Sequence, residues 1–423
     1  MSASPSNVST PATGQHPFGS RLPGLDGLRG LAAISIMLLH ATGSVGWPDS
    51  KGLMELVTAC SNSAGPLFYV LSGFLFNHLH ATGSVGSPDW NPFTDVVKAC
   101  GHSAVPLFFV LSGFLITHLL LDEEERNGRI SLKNFYARRA LRILPASLFY
   151  LAVLAVLTPL LKLSVEWIEI IASATWWRNF LYNGWAGWAV HLSEGTHYTG
   201  HYWSLSVEEH FYFVWPLLVI WLPRRWRLPF LGALVLLVPV WRAWGMYRHG
   251  FGGLNYWRTD YMLDHLLGGA SLAILFRLES ARKWLRLLAN NPLTGLTLAL
   301  GLVALVSSFE FLIDHGVTNK IKTLAGTVEM VGLVLLVATA VQIQTGWVYA
   351  ALNNPLMRWL GKISFSLYLW QELFTGHEFH AWPEQVPGNF VCALLAATAS
   401  CYLIERPFLN LRGRFHSRPQ SVA

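Results

Sequence analysis

Apolar residues along the chain fall into runs of roughly 16–20 positions, separated by short stretches where Arg, Lys, Pro, Gly and Asn gather. Wound as a helix, a run of that length crosses a hydrocarbon core of about 30 Å. The pattern predicts ten spans, at residues 25–42, 104–121, 143–161, 207–222, 228–244, 262–276, 293–309, 325–341, 363–374 and 390–404. The 363–374 run reaches full length only with its flanks. Residues 167–185, rich in Trp, Tyr and Asn, break the pattern and are expected to lie at the interface or to form a partly inserted cap. The fold class expected is an all-α polytopic membrane protein. It would have about ten transmembrane helices in one bundle, plus one extra duplicated hydrophobic segment.

Charge orients these spans. With a cytoplasmic N-terminus, the inner segments would hold Arg21 and Arg29, the six basic residues from Arg126 to Arg142, and Arg224, Arg225 and Arg227. They would also hold the four from Arg277 to Arg286, then Arg358 and Lys362, and the four from Arg406 to Arg418. That is most of the 30 Lys and Arg in the chain, as the positive-inside rule requires, and it puts both termini in the cytoplasm. Only 13% of the 423 residues are charged, about half the soluble norm, so the partner implied is a lipid bilayer. The net charge of +6 then belongs to topology and not to nucleic-acid binding. The four cysteines form no CxxC and no metal-like cluster. Residues 1–20 are rich in Ser, Pro, Thr and Gly and are expected to be a disordered tail. They lack the basic and apolar regions of a cleavable signal, so the 25–42 segment is expected to stay as the first span. Residues 409–423 read as a basic cytoplasmic tail.

A tandem repeat complicates the count. Residues 39–78 and 79–118 align without gaps at an offset of 40, with LHATGSVG at both starts and LFYVLSGFL matched by LFFVLSGFL. If 64–79 crossed the membrane, every later loop would flip and the basic 126–142 loop would face outward. One copy is therefore expected not to cross normally.

Three clusters carry candidate chemistry. In the first, Arg29 and His40 lie eleven positions apart, about 1100° of helical rotation, so both side chains share a face roughly 16 Å apart. A titratable side chain that deep in an apolar helix marks a functional site or an interfacial helix end. The repeat offers His80 as a copy of His40, but Tyr69 stands where the arginine would be. In the second, Arg138, Arg139 and Arg142 sit at the cytoplasmic mouth of a span, with Arg138 and Arg142 on one face. They suit either the phosphates of an anionic cofactor or lipid headgroups. The third is the run from His201 to Tyr212, with Trp203, Ser204, Glu208, Glu209 and His210 at an outer membrane mouth. Ser206 and Glu209 have capping-box spacing, and the paired carboxylates also suit an acceptor site or the orientation of a base. Asp260, Asp264 and the serines of SFSLYLW read as interhelical hydrogen-bonding groups. The chain has no phosphate-cradling glycine loop, GxSxG elbow or HExxH.

In order along the chain stand LDGLRG…LLH, PLFFVLSGFLI at 106–116, GRISLKNFYARRALRILP at 128–145, WSLSVEEHFYFVWPLL at 203–218, GKISFSLYLW at 361–370 and LIERPF at 403–408. Together these resemble the membrane-bound acyltransferase-3 family, which includes bacterial O-acetylases, over residues 21–408. The resemblance implies a ten-helix core and transfer of an acyl group, usually acetyl, from cytoplasmic acyl-CoA to a hydroxyl at the outer face. On this reading His40 is the essential base, with Arg29 its partner near the donor. The Arg138–Arg142 cluster contacts CoA, and Glu209 belongs to the acceptor side with His201, Trp203, Ser204 and Glu208. No metal is required. The acceptor is a carbohydrate or small-molecule hydroxyl, and the location is the inner (plasma) membrane. Two features depart from the family: Gln371 stands where relatives often carry histidine, and the 40-residue duplication is atypical. The competing readings are a polytopic transporter or exporter, and an inactive paralogue disabled by the duplication.

Overall fold

The computed structural model describes residues 22, 24–41, 92–181, 197–249, 257–290, 295–296, 322–376 and 381–415. Among these residues every regular element is helical. In chain order the main ones are α1 (Leu25–Ala41), α2 (Pro92–Asn127), α3 (Leu132–Leu161), α4 (Trp167–Ala174), α5 (His197–Gly200), α6 (Tyr202–Trp221) and α7 (Arg224–His249). They continue with α8 (Thr259–Leu275), α9 (Glu279–Asn290), α10 (Lys322–Gln342), α11 (Gly346–Asn353), α12 (Pro355–Trp370), α13 (Gly388–Ala399) and α14 (Arg406–Leu411). A π-helical stretch, Ser400–Glu405, joins the last two.

Five helical stretches among the described residues are long and apolar enough to cross a membrane, those within α2, α3, α7 and α10 and the Gly388–Phe415 run. The chain is a multi-pass membrane protein. Nine of the ten expected spans coincide with described helices. The expected span at 293–309 falls almost wholly outside the described residues, as do the 64–79 segment, His80 and the 1–20 tail. Residues 167–185 supply the short α4 and a 3-10 turn at Arg178–Phe180, with Glu169, Arg178 and Asn179 fully buried. Residues 409–415, expected to be tail, continue the C-terminal helix, and the Phe415 carbonyl accepts a hydrogen bond from Arg138 on α3 at 2.8 Å.

Two close crossings fix the frame. α1 packs on α2 and α12, and α2 packs on α8. A Cβ on Gly361 of α12 would lie 2.0 Å from the Asp26 carbonyl oxygen, so α1 and α12 meet backbone to backbone. The crossing of α2 and α8 is equally tight. A Cβ on Gly113 would stand 1.9 Å from the Leu266 carbonyl oxygen, and one on Gly269 would stand 2.0 Å from that of Val110. Small residues at such crossings let apolar helices gain close packing where lipid offers no hydrophobic drive. With Asp26 beside Gly361 at one end and His40 beside Glu372 at the other, α1 and α12 run parallel.

The acidic end of α2 clasps three neighbours. Arg227 donates to both oxygens of Glu124 at 2.7 and 3.0 Å, Arg138 to Glu123 at 2.7 Å, and Arg277 to Glu125 at 2.8 Å. Deeper in the bundle, Arg242 of α7 pairs with the fully buried Asp264 of α8, which also accepts from Thr327 of α10 at 2.8 Å. Asp264 thus has the interhelical role its sequence context suggests.

Candidate functional site

α1, α2, α3, α6 and α12 enclose a cavity of about 110 Å³. Arg29, Arg139 and Arg142 line it, with Glu208, Glu209, Tyr212, Ser112, Ser204 and Tyr368 and an apolar wall from α2 and α12. The local sequence explains how three arginines meet there. α3 begins at Leu132, its first turn capped by Ser131, whose side chain accepts from the Asn134 amide. The helix continues through Pro145, so the basic residues sit on the spanning helix itself. Arg142 projects at an angle between Arg138 and Arg139. The bundle takes the Arg139–Arg142 side into the cavity, and Arg138 turns away to Glu123 and the Phe415 carbonyl.

No guanidinium of Arg29, Arg139 or Arg142 forms an ion pair or hydrogen bond with a described residue. Arg139 lies 5.8 Å from the ring centres of Phe135 and Tyr212. The two carboxylates differ. Glu208 is satisfied on both oxygens, by Ser112 at 3.0 Å and Tyr212 at 2.7 Å. Glu209 keeps a buried oxygen with no partner among the described residues. The cavity therefore carries a surplus of positive charge and suits an anionic ligand with an apolar arm.

At one side of this cavity, Ser204 and Tyr368 join hydroxyls at 2.6 Å, and Tyr368 donates to the His201 carbonyl at 3.0 Å. Beyond them lies a second polar cluster. His40 Nδ1 is 2.8 Å from Glu372 Oε1, with the ring turned short of hydrogen-bond alignment. The His40 side chain is 33% exposed and that of Glu372 10%. A carboxylate this close to Nδ1 favours a proton there, the tautomer that leaves Nε2 open to take another. His201 is buried against Tyr150, with ring centres 5.4 Å apart, and Tyr150 packs on Trp370 at 5.5 Å.

A model of the acyltransferase domain family, Acyl_transf_3, matches residues 76–406. The chain belongs to that family. A presumptive O-acetyltransferase of Staphylococcus aureus strain COL is 28% identical over 414 residues, covering 92% of this chain and 57% of the relative. The O-acetyltransferase OatA of S. aureus strain NCTC 8325 / PS 47 is 25% identical over 368 residues, covering 82% and 50%. The chain thus spans about half the length of the curated relatives it matches. No solved structure matches. The family match begins at residue 76, at the end of the first repeat copy and after α1, so the placement of Arg29 and His40 rests on the packing of α1 against α12.

For this acyltransferase-family chain, the site residues expected from sequence divide in two. Arg29, Arg139, Arg142, Ser204, Glu208 and Glu209 line the cavity, and His40 and His201 form the cluster beyond it. Arg138 stands outside both, and Trp203 packs edge-on against Phe109 at 5.9 Å. The capping-box expectation is not met: α6 starts at Tyr202, Ser206 lies one turn inside and donates back to the Tyr202 carbonyl at 2.9 Å, and Glu209 faces the cavity. Glu372 and Tyr368 are site residues that the sequence reading misses. A signal for Glu372 is present, since a carboxylate inside the expected 363–374 span is costly unless used. The LIERPF motif gains a partner too: Glu405, buried, accepts a hydrogen bond from Ser366 of SFSLYLW.

Proposed function

We propose that the chain is a membrane O-acyltransferase that moves an acyl group, most simply acetyl, from cytoplasmic acyl-CoA to a hydroxyl of an extracytoplasmic glycan or glycoside. The observation that carries this reading is three arginines in one cavity that form no ion pair or hydrogen bond with a described residue, at the far end of α1 from a histidine–carboxylate pair. Arg29, Arg139 and Arg142 hold the donor's phosphates, and the apolar wall takes its arm. Arg138 positions the cluster through Glu123. The thioester reaches the Ser204–Tyr368 end, where His40 takes the proton of the acceptor hydroxyl as its oxygen attacks the carbonyl. Glu372 stabilises the imidazolium that forms, and the CoA thiolate leaves. The names of the S. aureus relatives support O-acetyl transfer.

The orientation that fits is α1 entering from the cytoplasm, with both termini inside, about ten spans in a single bundle and residence in the plasma membrane. Residues 21–408 form the acyltransferase unit, between an N-terminal tail at 1–20 and a basic segment from 409 whose residues up to 415 continue the C-terminal helix. The test is transfer of labelled acetyl from acetyl-CoA in reconstituted protein. His40→Ala abolishes it on this reading; unchanged transfer refutes it.

A further inference from the structure

One helix serves neither the cavity nor the polar cluster beyond it. α9 has 12 residues and is about 18 Å long, too short to cross a hydrocarbon core of about 30 Å. Its start is held at the acidic end of α2: Arg277, two residues ahead of it, donates to Glu125 at 2.8 Å and pairs with Asp122. At about 100° per residue, its side chains sort into three arcs. Leu285 turns to the bundle and packs against the core. Trp284 and Leu287 share a second arc and are 74% and 57% exposed. Arg282, Lys283 and Arg286 share a third, about 100° wide. Lys283 and Arg286 are exposed, and Arg282 is half-buried and donates back to the Arg277 carbonyl at 3.5 Å. Glu279 stands at the start of the same arc and leaves α9 a net charge of +2.

We infer that α9 lies along the cytoplasmic membrane surface and binds the headgroups of anionic phospholipids. Loop charge that serves orientation alone needs number and not arrangement. In α9 the basic and apolar side chains are separated around a helix, and a further face is taken by protein. That division matches a rod lying in the headgroup plane. Trp284 and Leu287 enter the acyl boundary, while Arg282, Lys283 and Arg286 reach phosphate oxygens as charge-assisted donors. An indole suits that depth, being apolar with one N–H to donate. Water on this face would leave two large apolar side chains bare, and zwitterionic headgroups would leave the surplus charge unmatched. Each basic residue near an anionic surface adds about fivefold to binding. The inference draws on the proposed function only for which membrane face α9 meets.

The test places the full chain, cysteine-free except for Leu287→Cys carrying a fluorophore, in phosphatidylcholine nanodiscs. The discs contain nitroxide-tailed phosphatidylglycerol or nitroxide-tailed phosphatidylcholine at equal mole fraction. The anionic lipid is expected to quench about fivefold more strongly than the zwitterionic one. The same fluorophore on Val156→Cys, at an exposed position of α3, is quenched equally by both. Arg282→Gln, Lys283→Gln and Arg286→Gln together remove the excess. So does about 1 M salt with the basic residues intact, where the Debye length falls to about 3 Å. The salt measurement decides the matter if the triple variant does not fold. Equal quenching by the two lipids, or an excess that survives salt or the folded triple variant, overturns anionic recognition. Absence of quenching at 287 with normal quenching at 156 shows that water or protein covers the face, and overturns the placement of α9. Acetyl transfer in the same discs is scored separately, so failure of the lipid site leaves the acyltransferase reading standing, and failure of transfer leaves the lipid site.

Discussion

The bundle holds two kinds of arginine. Arg242, Arg227, Arg277 and Arg138 are each matched to a carboxylate across a helix boundary. Arg29, Arg139 and Arg142 share a cavity and have no such match among the described residues. A guanidinium carried into an apolar bundle is expensive, so each set must be offset by something. For the first set the offset is a carboxylate on a neighbouring helix, and the pairs fix helix positions. For the second we propose an external one, a ligand that occupies the cavity.

The largest effect is expected at Asp264. Removing it as Asp264→Ala strands Arg242 in a buried site and destabilises the protein by about 3–5 kcal/mol, read as thermal unfolding in detergent. The double change Arg242→Met with Asp264→Leu recovers most of that loss, since replacing both members of a buried pair is close to neutral. A smaller effect of opposite kind is expected at Arg142. Arg142→Met removes a charge that forms no ion pair or hydrogen bond with a described residue, so stability changes little, while the KM for acetyl-CoA climbs roughly 10–100-fold, as one lost charge-assisted hydrogen bond implies. The smallest effect extends the contrast to carboxylates. Glu208→Gln disturbs the Ser112 and Tyr212 bonds and costs about 1 kcal/mol of stability, whereas Glu209→Gln costs none and shows itself only in turnover.

Much of the fold was legible because a bilayer imposes length and polarity on every span. The apolar runs located nine described helices, and α1 carries Arg29 and His40 on the helix that their spacing required. Less legible were matters decided by neighbours far away in sequence. Three arginines within five positions cover a wide arc of one helix. Only the contacts of α3 with Glu123 and with the cavity separate Arg138 from Arg139 and Arg142. Glu372 lies 332 positions from His40, and nothing local marks it as that residue's partner. The glycines at 113, 269 and 361 read as breaks in helix propensity, yet they are the points where helices approach most closely. Ser206 and Glu209 had the spacing of a cap, but the preceding aromatic residues extend the helix by a full turn.

Paired kinetics and melting for Arg142→Met and Arg242→Met, in the same membrane preparation, separate a ligand-binding arginine from a structural one. Arg142→Met is expected to raise the KM for acetyl-CoA with an unshifted melting temperature. Arg242→Met is expected to lower the melting temperature with an unshifted KM in the surviving fraction. Equal losses of stability in both, with no change in KM for Arg142→Met, would overturn the division of the arginines into two kinds.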